Sequence, residues 1–301
     1  MKLLKYLKIN IRKDYLFPYC LMLPATLLMI LIIFYPLFTG IRLSFYNAPL
    51  SQIRKSIEWV GLKNYVSILS NPNFWQSFKI TVYYTLVSSI GSFLIGLALA
   101  SLMNSRFKGR KIARTLVMIP WAVPHVVTAM IWVWMLDYQY GVINYLGRTS
   151  GILENNVGWL TNPTSALLLV SMVQIWKLVP ISGTMLLAGL QSIPEELYEA
   201  AAVDGVTKFS AFRYITLPAL RPVSRVVLLL LFIWTFRRFA LIYLMTRGGP
   251  ARSTETLAIG IYREAFTYHR FGNAAVIGVF TLIIIFIMVI FYFRSVYYSE
   301  K

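Results

Sequence analysis

The 301-residue chain is 58% hydrophobic and 13% charged, and it sets 29 Lys and Arg against 11 Asp and Glu for a net charge of +18. A soluble domain normally holds about 25% charged residues, so with a mean hydropathy of +0.65 the long apolar runs read first as bilayer spans. Because Lys and Arg cluster between those runs, the basic balance reads as loop charge of a membrane protein rather than a nucleic-acid surface, and the single Cys20 excludes an intrachain disulfide.

A transmembrane helix needs about 20 mostly apolar residues, and six segments qualify, at about 16–40, 78–103, 112–136, 165–190, 222–246 and 273–294. The expected fold class is all-α integral membrane, with a tail over 1–15 and one six-span domain over 16–301. The first span contains Pro18, Pro24 and Pro36 and lacks a small-residue cleavage site, so it reads as a span and not a signal peptide. The segment 41–77 carries Arg42, Arg54, Lys55 and Lys63 along a longer stretch, with Trp59 and Trp75 suited to an interfacial belt. The next loop is short and basic, with Arg106, Lys108, Arg110, Lys111 and Arg114. Span three holds Ile119-Pro120-Trp121-Ala122-Val123-Pro124 and His125, and Arg148 is the one basic residue of the following segment 137–164, which also holds Trp159.

Span four contains Gln174 and Lys177 and leads through Leu190-Gln191-Ser192-Ile193-Pro194 into the loop 191–221, with Lys208, Arg213 and Arg221. Span five contains Trp234, Phe236, Arg237 and Arg238 and ends at Thr246-Arg247-Gly248-Gly249-Pro250, before a segment bearing Glu255 and Glu264. The N-terminal tail, with Lys2, Lys5, Lys8, Arg12 and Lys13, falls on the same side as the two basic loops. Both termini are therefore predicted to be cytoplasmic in a multi-pass inner-membrane protein.

The loop 191–221 has internal order. Pro194 opens a short helix with Glu195 and Glu196 in its first turn, where they complement the helix dipole. Ala200, Ala201 and Ala202 continue it and Gly205 breaks it, with freedom for positive φ. A second helix is expected over about 207–216, with a turn forced at Leu217 and Pro218. From physics alone, an ordinary amphipathic re-entry helix competes with a docking hairpin.

The string Glu199-Ala200-Ala201, then Gly205, then Ile215-x-Leu217-Pro218 resembles the EAA loop of ABC-importer permeases at each fixed position. With the three strings quoted for spans three, four and five, nearly the whole chain is similar to the maltose and glycerol-phosphate branch of these permeases, the MalF-like type. The resemblance implies the type I permease fold and a coupling role for Glu199, Ala200, Ala201, Gly205, Leu217 and Pro218, docked in a cleft of an ATPase subunit. It implies as partners a second homologous permease, two ATPase subunits, an extracytoplasmic solute-binding protein and an oligosaccharide. The chain itself would bind no cofactor, ATP and Mg being used by the partner subunits. No G-x-x-x-x-G-K-[ST] phosphate loop is present. No nucleic acid is expected, and no catalytic constellation or metal site, since His125 and His269 are the only histidines.

Counting along the spans places His125, Lys177, Arg237 and Arg238 near one midplane depth. A cation there costs about 2.5–3.5 kcal/mol on insertion scales, and no predicted span carries its own carboxylate partner. Partner-chain acids, or cation–π contacts to Trp121, Trp176 and Trp234, are one reading. The other is a cavity that binds an anion, with Trp121, His125, Gln174, Lys177, Phe236, Arg237 and Arg238 on its walls. The resemblance adds that permeases of this type often have Phe-Asn-Asn-Phe where this chain has Phe236-Arg237-Arg238-Phe239, with the asparagines bonding sugar hydroxyls. The arginines depart from that pattern and suit carboxylates, hence a uronate-containing oligosaccharide. A neutral oligosaccharide or a glycerol-phosphate-like solute is the alternative. A channel or ion-driven transporter fits less well, since such proteins usually need an intramembrane acid.

Overall fold

The computed structural model describes residues 13–48, 58–105 and 107–297. The tail bases Lys2, Lys5, Lys8 and Arg12, together with Arg54, Lys55 and Arg106, lie outside the described residues. The described residues are mostly helical, and their strands form a two-residue antiparallel ladder of β1 (Tyr46–Asn47) and β2 (Glu58–Trp59).

Among the described residues, four helices are long and apolar enough to cross a membrane: Pro18–Leu43, Pro72–Asn104, Pro163–Gln191 and Phe271–Arg294. The first consists of α1 (Lys13–Met29), a wide π turn (Ile30–Phe34) and α2 (Tyr35–Leu43). The wide turn closes with Tyr35 N–H bonded to the Ile30 carbonyl, one residue before Pro36. A local π adjustment of this kind is one way a membrane helix accommodates the missing proline donor.

After α3 (Lys63–Leu69), the helix α4 (Pro72–Asn104) begins at an Asn-Pro step. The side chain of Asn71 accepts from the Asn73 N–H at 3.0 Å, and Pro72 occupies a position that needs no donor. The helix α9 (Pro163–Gln191) begins in the same way, with Asn162 capping Thr164. These two helices make the most extensive contact in the fold. Their seam is built from small residues: Ser88, Ser92, Gly96 and Ala100 recur every fourth position on α4, against Ser182 and Gly183 on α9. A Cβ on Gly96 would come within 3.0 Å of the Gly183 backbone nitrogen. In lipid, where apolar surfaces gain nothing by leaving the solvent, close backbone approach of this kind is what joins helices.

Spans three and five differ from the continuous helices expected at 112–136 and 222–246. In place of span three, α5 (Arg110–Val117) runs into α6 (Ile119–Ala122), then α7 (His125–Met135), and the two halves meet at 89°. Pro124 is the cause: it forces Val123 to an extended conformation (φ −64°, ψ 130°) and offers no N–H to the turn before it. Span five, α13 (Arg221–Phe236), stops at Arg237 and resumes as α14 (Ala240–Thr246), which packs on α7. Consecutive side chains of an unbroken helix point about 100° apart, so the interruption lets Arg237 and Arg238 share one wall.

Between α7 and α9 lies α8 (Val142–Thr149), and between α9 and α13 the hairpin of α10 (Glu195–Val203), α11 (Lys208–Ala211), a second wide turn (Phe212–Thr216) and α12 (Leu217–Ala219). The turn expected at Leu217-Pro218 comes later, at Leu220, where the chain bends by 68° into α13. The wide turn again closes one residue before a proline, with Leu217 N–H on the Phe212 carbonyl, so the helix survives Pro218.

The segment after α14 folds back on the bundle as α15 (Leu257–Tyr262) and a third wide turn (Arg263–Thr267) before α16 (Phe271–Tyr297). Here Glu255, expected as a loop acid, is 1% exposed. It is ion-paired with Arg252 and Arg263 and lies 3.4 Å from the Ser77 hydroxyl of α4. Three apolar clusters complete the interior, around Tyr84, Val170 and Leu241, around Leu186, Leu220 and Val227, and around Phe74, Phe236 and Val276. The window of the first span has no residue buried within the chain.

Candidate translocation cavity and coupling hairpin

The breaks in spans three and five face each other across a cavity of about 660 Å³. Trp121, His125, Lys177, Arg237 and Arg238 line it, together with Leu178, Trp234, Phe239 and Ala240. Five of the seven residues predicted for the path thus meet at one place. Two do not. Phe236 is 4% exposed and packs with Phe74, Leu257 and Val276 on the other side of α13. Gln174 is fully buried, both of its amide atoms lack a partner, and it does not reach the cavity. Phe239 takes the aromatic place expected of Phe236, because the helix ends between them. Trp234, one turn before Arg238, carried that signal in the sequence as a neighbour only.

The cations play different parts. Lys177 is 2% exposed, and its ammonium donates to the carbonyls of Pro120 at 3.1 Å, Trp121 at 3.4 Å and Val123. These carbonyls end the first of the two half-helices, Arg110–Ala122, and the turn that follows it. Each would cost about 1–3 kcal/mol if buried without a donor. Arg238 donates through Nη1 to Nε2 of His125 at 2.7 Å. A guanidinium only donates, so Nε2 is the lone-pair nitrogen of that ring. The Arg237 side chain is exposed to the cavity and has no hydrogen-bond or ion-pair partner among the described residues. Among the described residues no carboxylate pairs with any of the three, and the Glu255 pairs go to Arg252 and Arg263 instead. The cation–π contacts there are Arg42 on Tyr46 and Arg270 on Tyr268, so the tryptophans do not serve these cations. Three cations on low-dielectric walls focus a positive potential into the cavity. His125 is also the first residue of α7, whose unsatisfied N–H groups add partial positive charge.

At the far end of α9 the hairpin has a well-defined turn. Gly205 takes φ +73° and follows Asp204, the C-cap of α10. Its N–H bonds to the Ala202 carbonyl at 3.1 Å, and that of Val206 to Ala201 at 2.9 Å, a Schellman closure. Thr207 caps α11 through Ser210 N–H, and the hydroxyls of Tyr198 and Thr216 lie 2.9 Å apart across the two limbs. Ala201 faces inward, whereas Glu199, Ala200 and Val203 are exposed, as is Leu217, and Pro218 is partly covered. The hairpin therefore offers a small, acidic, pre-shaped ridge to another surface.

The family described as binding-protein-dependent transport system inner membrane component matches residues 92–300. The trehalose/maltose transport system permease protein MalF of Thermococcus litoralis is 38% identical over 239 residues, 78% of this chain and 79% of its own length. The sulfoquinovosyl glycerol transport system permease protein SmoG of Agrobacterium fabrum is 36% identical over 266 residues, 88% of this chain and 85% of its own. A solved bacterial ABC transporter involved in the import of the acidic polysaccharide alginate matches with a TM-score of 0.83 and 26% identity, covering 97% of this chain and 98% of that one.

Proposed function

We propose that this chain, which belongs to the family of inner membrane components of binding-protein-dependent transport systems, lines the path of an anionic oligosaccharide. It is a permease of a sugar ABC importer and not an enzyme; ATP hydrolysis in such systems lies in separate chains. One observation carries the substrate reading: Arg237 stands unpaired in a cavity that also holds Arg238 and Lys177 and no carboxylate. Relatives differ in the solute their names state, trehalose and maltose in one and sulfoquinovosyl glycerol in another. The walls of this cavity, rather than those names, support a carboxylate-bearing solute such as a uronate oligosaccharide.

The intact importer reconstituted in vesicles should therefore take up such an oligosaccharide at least tenfold faster than its neutral, carboxyl-reduced analogue. Equal rates for the two, or preference for the neutral sugar, would return the chain to ordinary neutral substrates.

The partners follow from surfaces this chain leaves open. A second permease would cover the first span, which packs on little of its own chain. Two ATPase subunits would take the hairpin ridges of the two permeases, and a solute-binding protein would deliver from the opposite end. We place the hairpin, the 1–15 tail and the C-terminus in the cytoplasm on the distribution of loop Lys and Arg. Val203 is 89% exposed at the hairpin, so Val203→Cys in a Cys20→Ser background should resist impermeant thiol reagents in intact cells and react after permeabilisation. Rapid labelling from outside would invert this topology.

A further inference from the structure

We propose that Lys177 is a positioning residue, the pin that keeps span three broken at Val123-Pro124, and not a ligand of the solute. The proposal rests on the cavity being the solute's path. An ammonium has three N–H donors, and three carbonyls, those of Pro120, Trp121 and Val123, take all of them. The side chain is 2% exposed, so nothing of it is left to meet a solute. Its charge is held without an acid because it sits on the C-terminal end of the helical run Arg110–Ala122, where the backbone dipoles point their negative ends.

The geometry gives this bond set a task. Pro124 breaks the helix and leaves carbonyls of the last inner turn without their usual N–H donors near the middle of the bilayer. A donor reaching across from α9 satisfies them together and so fixes the 89° angle between the two half-helices. That angle carries Trp121, at the end of one half, and His125, at the start of the other, to the same cavity wall. His125 in turn receives the bond from Arg238. Lys177 thus sets the shape of the wall on which Arg238 is held, at one remove from the solute. A solute ligand and a pin make different demands: a ligand sets preference between charged and neutral solutes, and a pin sets the bend.

The test uses the assembled importer with Cys20→Ser, spin labels at Leu116→Cys on α5 and Met130→Cys on α7, and Lys177 varied to Arg, Gln and Met. Lys177→Met should shift or broaden the distance between the labels and lower uptake about tenfold for both the charged oligosaccharide and its carboxyl-reduced analogue, leaving their ratio unchanged. Lys177→Arg, which restores several donors, should recover the wild-type distance, and Lys177→Gln, with a single donating group, should fall between. If Lys177→Met does not assemble, the order of lysine, arginine and glutamine in the same measurement decides. An unaltered distance in Lys177→Met or Lys177→Gln, or a loss confined to the charged solute, overturns the proposal. Failure of the anionic reading itself is separable. It appears as an unchanged ratio when Arg237 is replaced, whereas the label distance still reports on Lys177.

Discussion

Replacing Arg237 with asparagine should lower uptake of a carboxylate-bearing oligosaccharide by about tenfold and leave the neutral analogue within about twofold. A hydrogen bond to a charged group is worth about 1.5–3 kcal/mol net, and about 1.4 kcal/mol is a factor of ten. Arg237 is the cleaner of the two arginine probes, because its side chain is exposed to the cavity and bonded to nothing within the described residues. Adding Arg238→Asn should widen the loss to roughly 100-fold, though this change also removes the donor that holds His125. Parallel uptake measurements with the charged and carboxyl-reduced sugars, on importers purified with all subunits present, check both effects. Equal losses for both sugars, or failure of assembly, would make the arginines structural.

Gly205→Val should reduce coupled transport and solute-stimulated ATP hydrolysis by about tenfold while membrane insertion stays normal. A Cβ at this position would meet no atom within 4 Å, so the penalty is conformational and not steric crowding against neighbours. A β-branched residue held at φ +73° costs of the order of 1–3 kcal/mol. The chain would relieve that strain by opening the Schellman turn, which changes the angle between α10 and α11. The residue series gives the check. Gly205→Asn should stay near wild type, Gly205→Ala should fall between, and Gly205→Val should be lowest, following each residue's tolerance of the left-handed region. Normal transport by the valine variant would place the elbow elsewhere.

Much of this architecture was legible because it rests on local rules. Runs of about 20 apolar residues marked the four long helices and both bent pairs, and Glu195, Glu196 and the alanines marked α10 before Gly205 ended it. The cavity was half legible. Depth counting brought His125, Lys177 and the arginines to one level. It assumed straight helices, and the errors follow from that. A continuous span five would have kept Phe236 and Phe239, three residues apart, on one face, yet the helix ends between them and Phe236 packs into the opposite core. Lys177 looked like a free cation because its partners are backbone carbonyls, which no side-chain pattern reveals. Proline spoke ambiguously. Pro124 breaks span three, whereas Pro36 and Pro218 are absorbed by wide turns that propensity does not foresee.

The small-residue seam between α4 and α9 also has a mechanical meaning. Gly183 lies against Leu99 and the Gly96 carbonyl one turn past Pro180, where α9 is gripped most closely by α4. That grip divides a 29-residue helix unequally. About 8 residues, or roughly 12 Å, run from it to the hairpin, and about 20 residues, or roughly 30 Å, run the other way. If α9 rocks as a rod about this fulcrum, a push of about 2 Å at the coupling end becomes a swing of about 5 Å at the far mouth. Lys177 lies on the long arm, about 9 Å from the pivot, so the same stroke would drag the bend of span three with it. The gearing ratio is written in the position of one glycine pair.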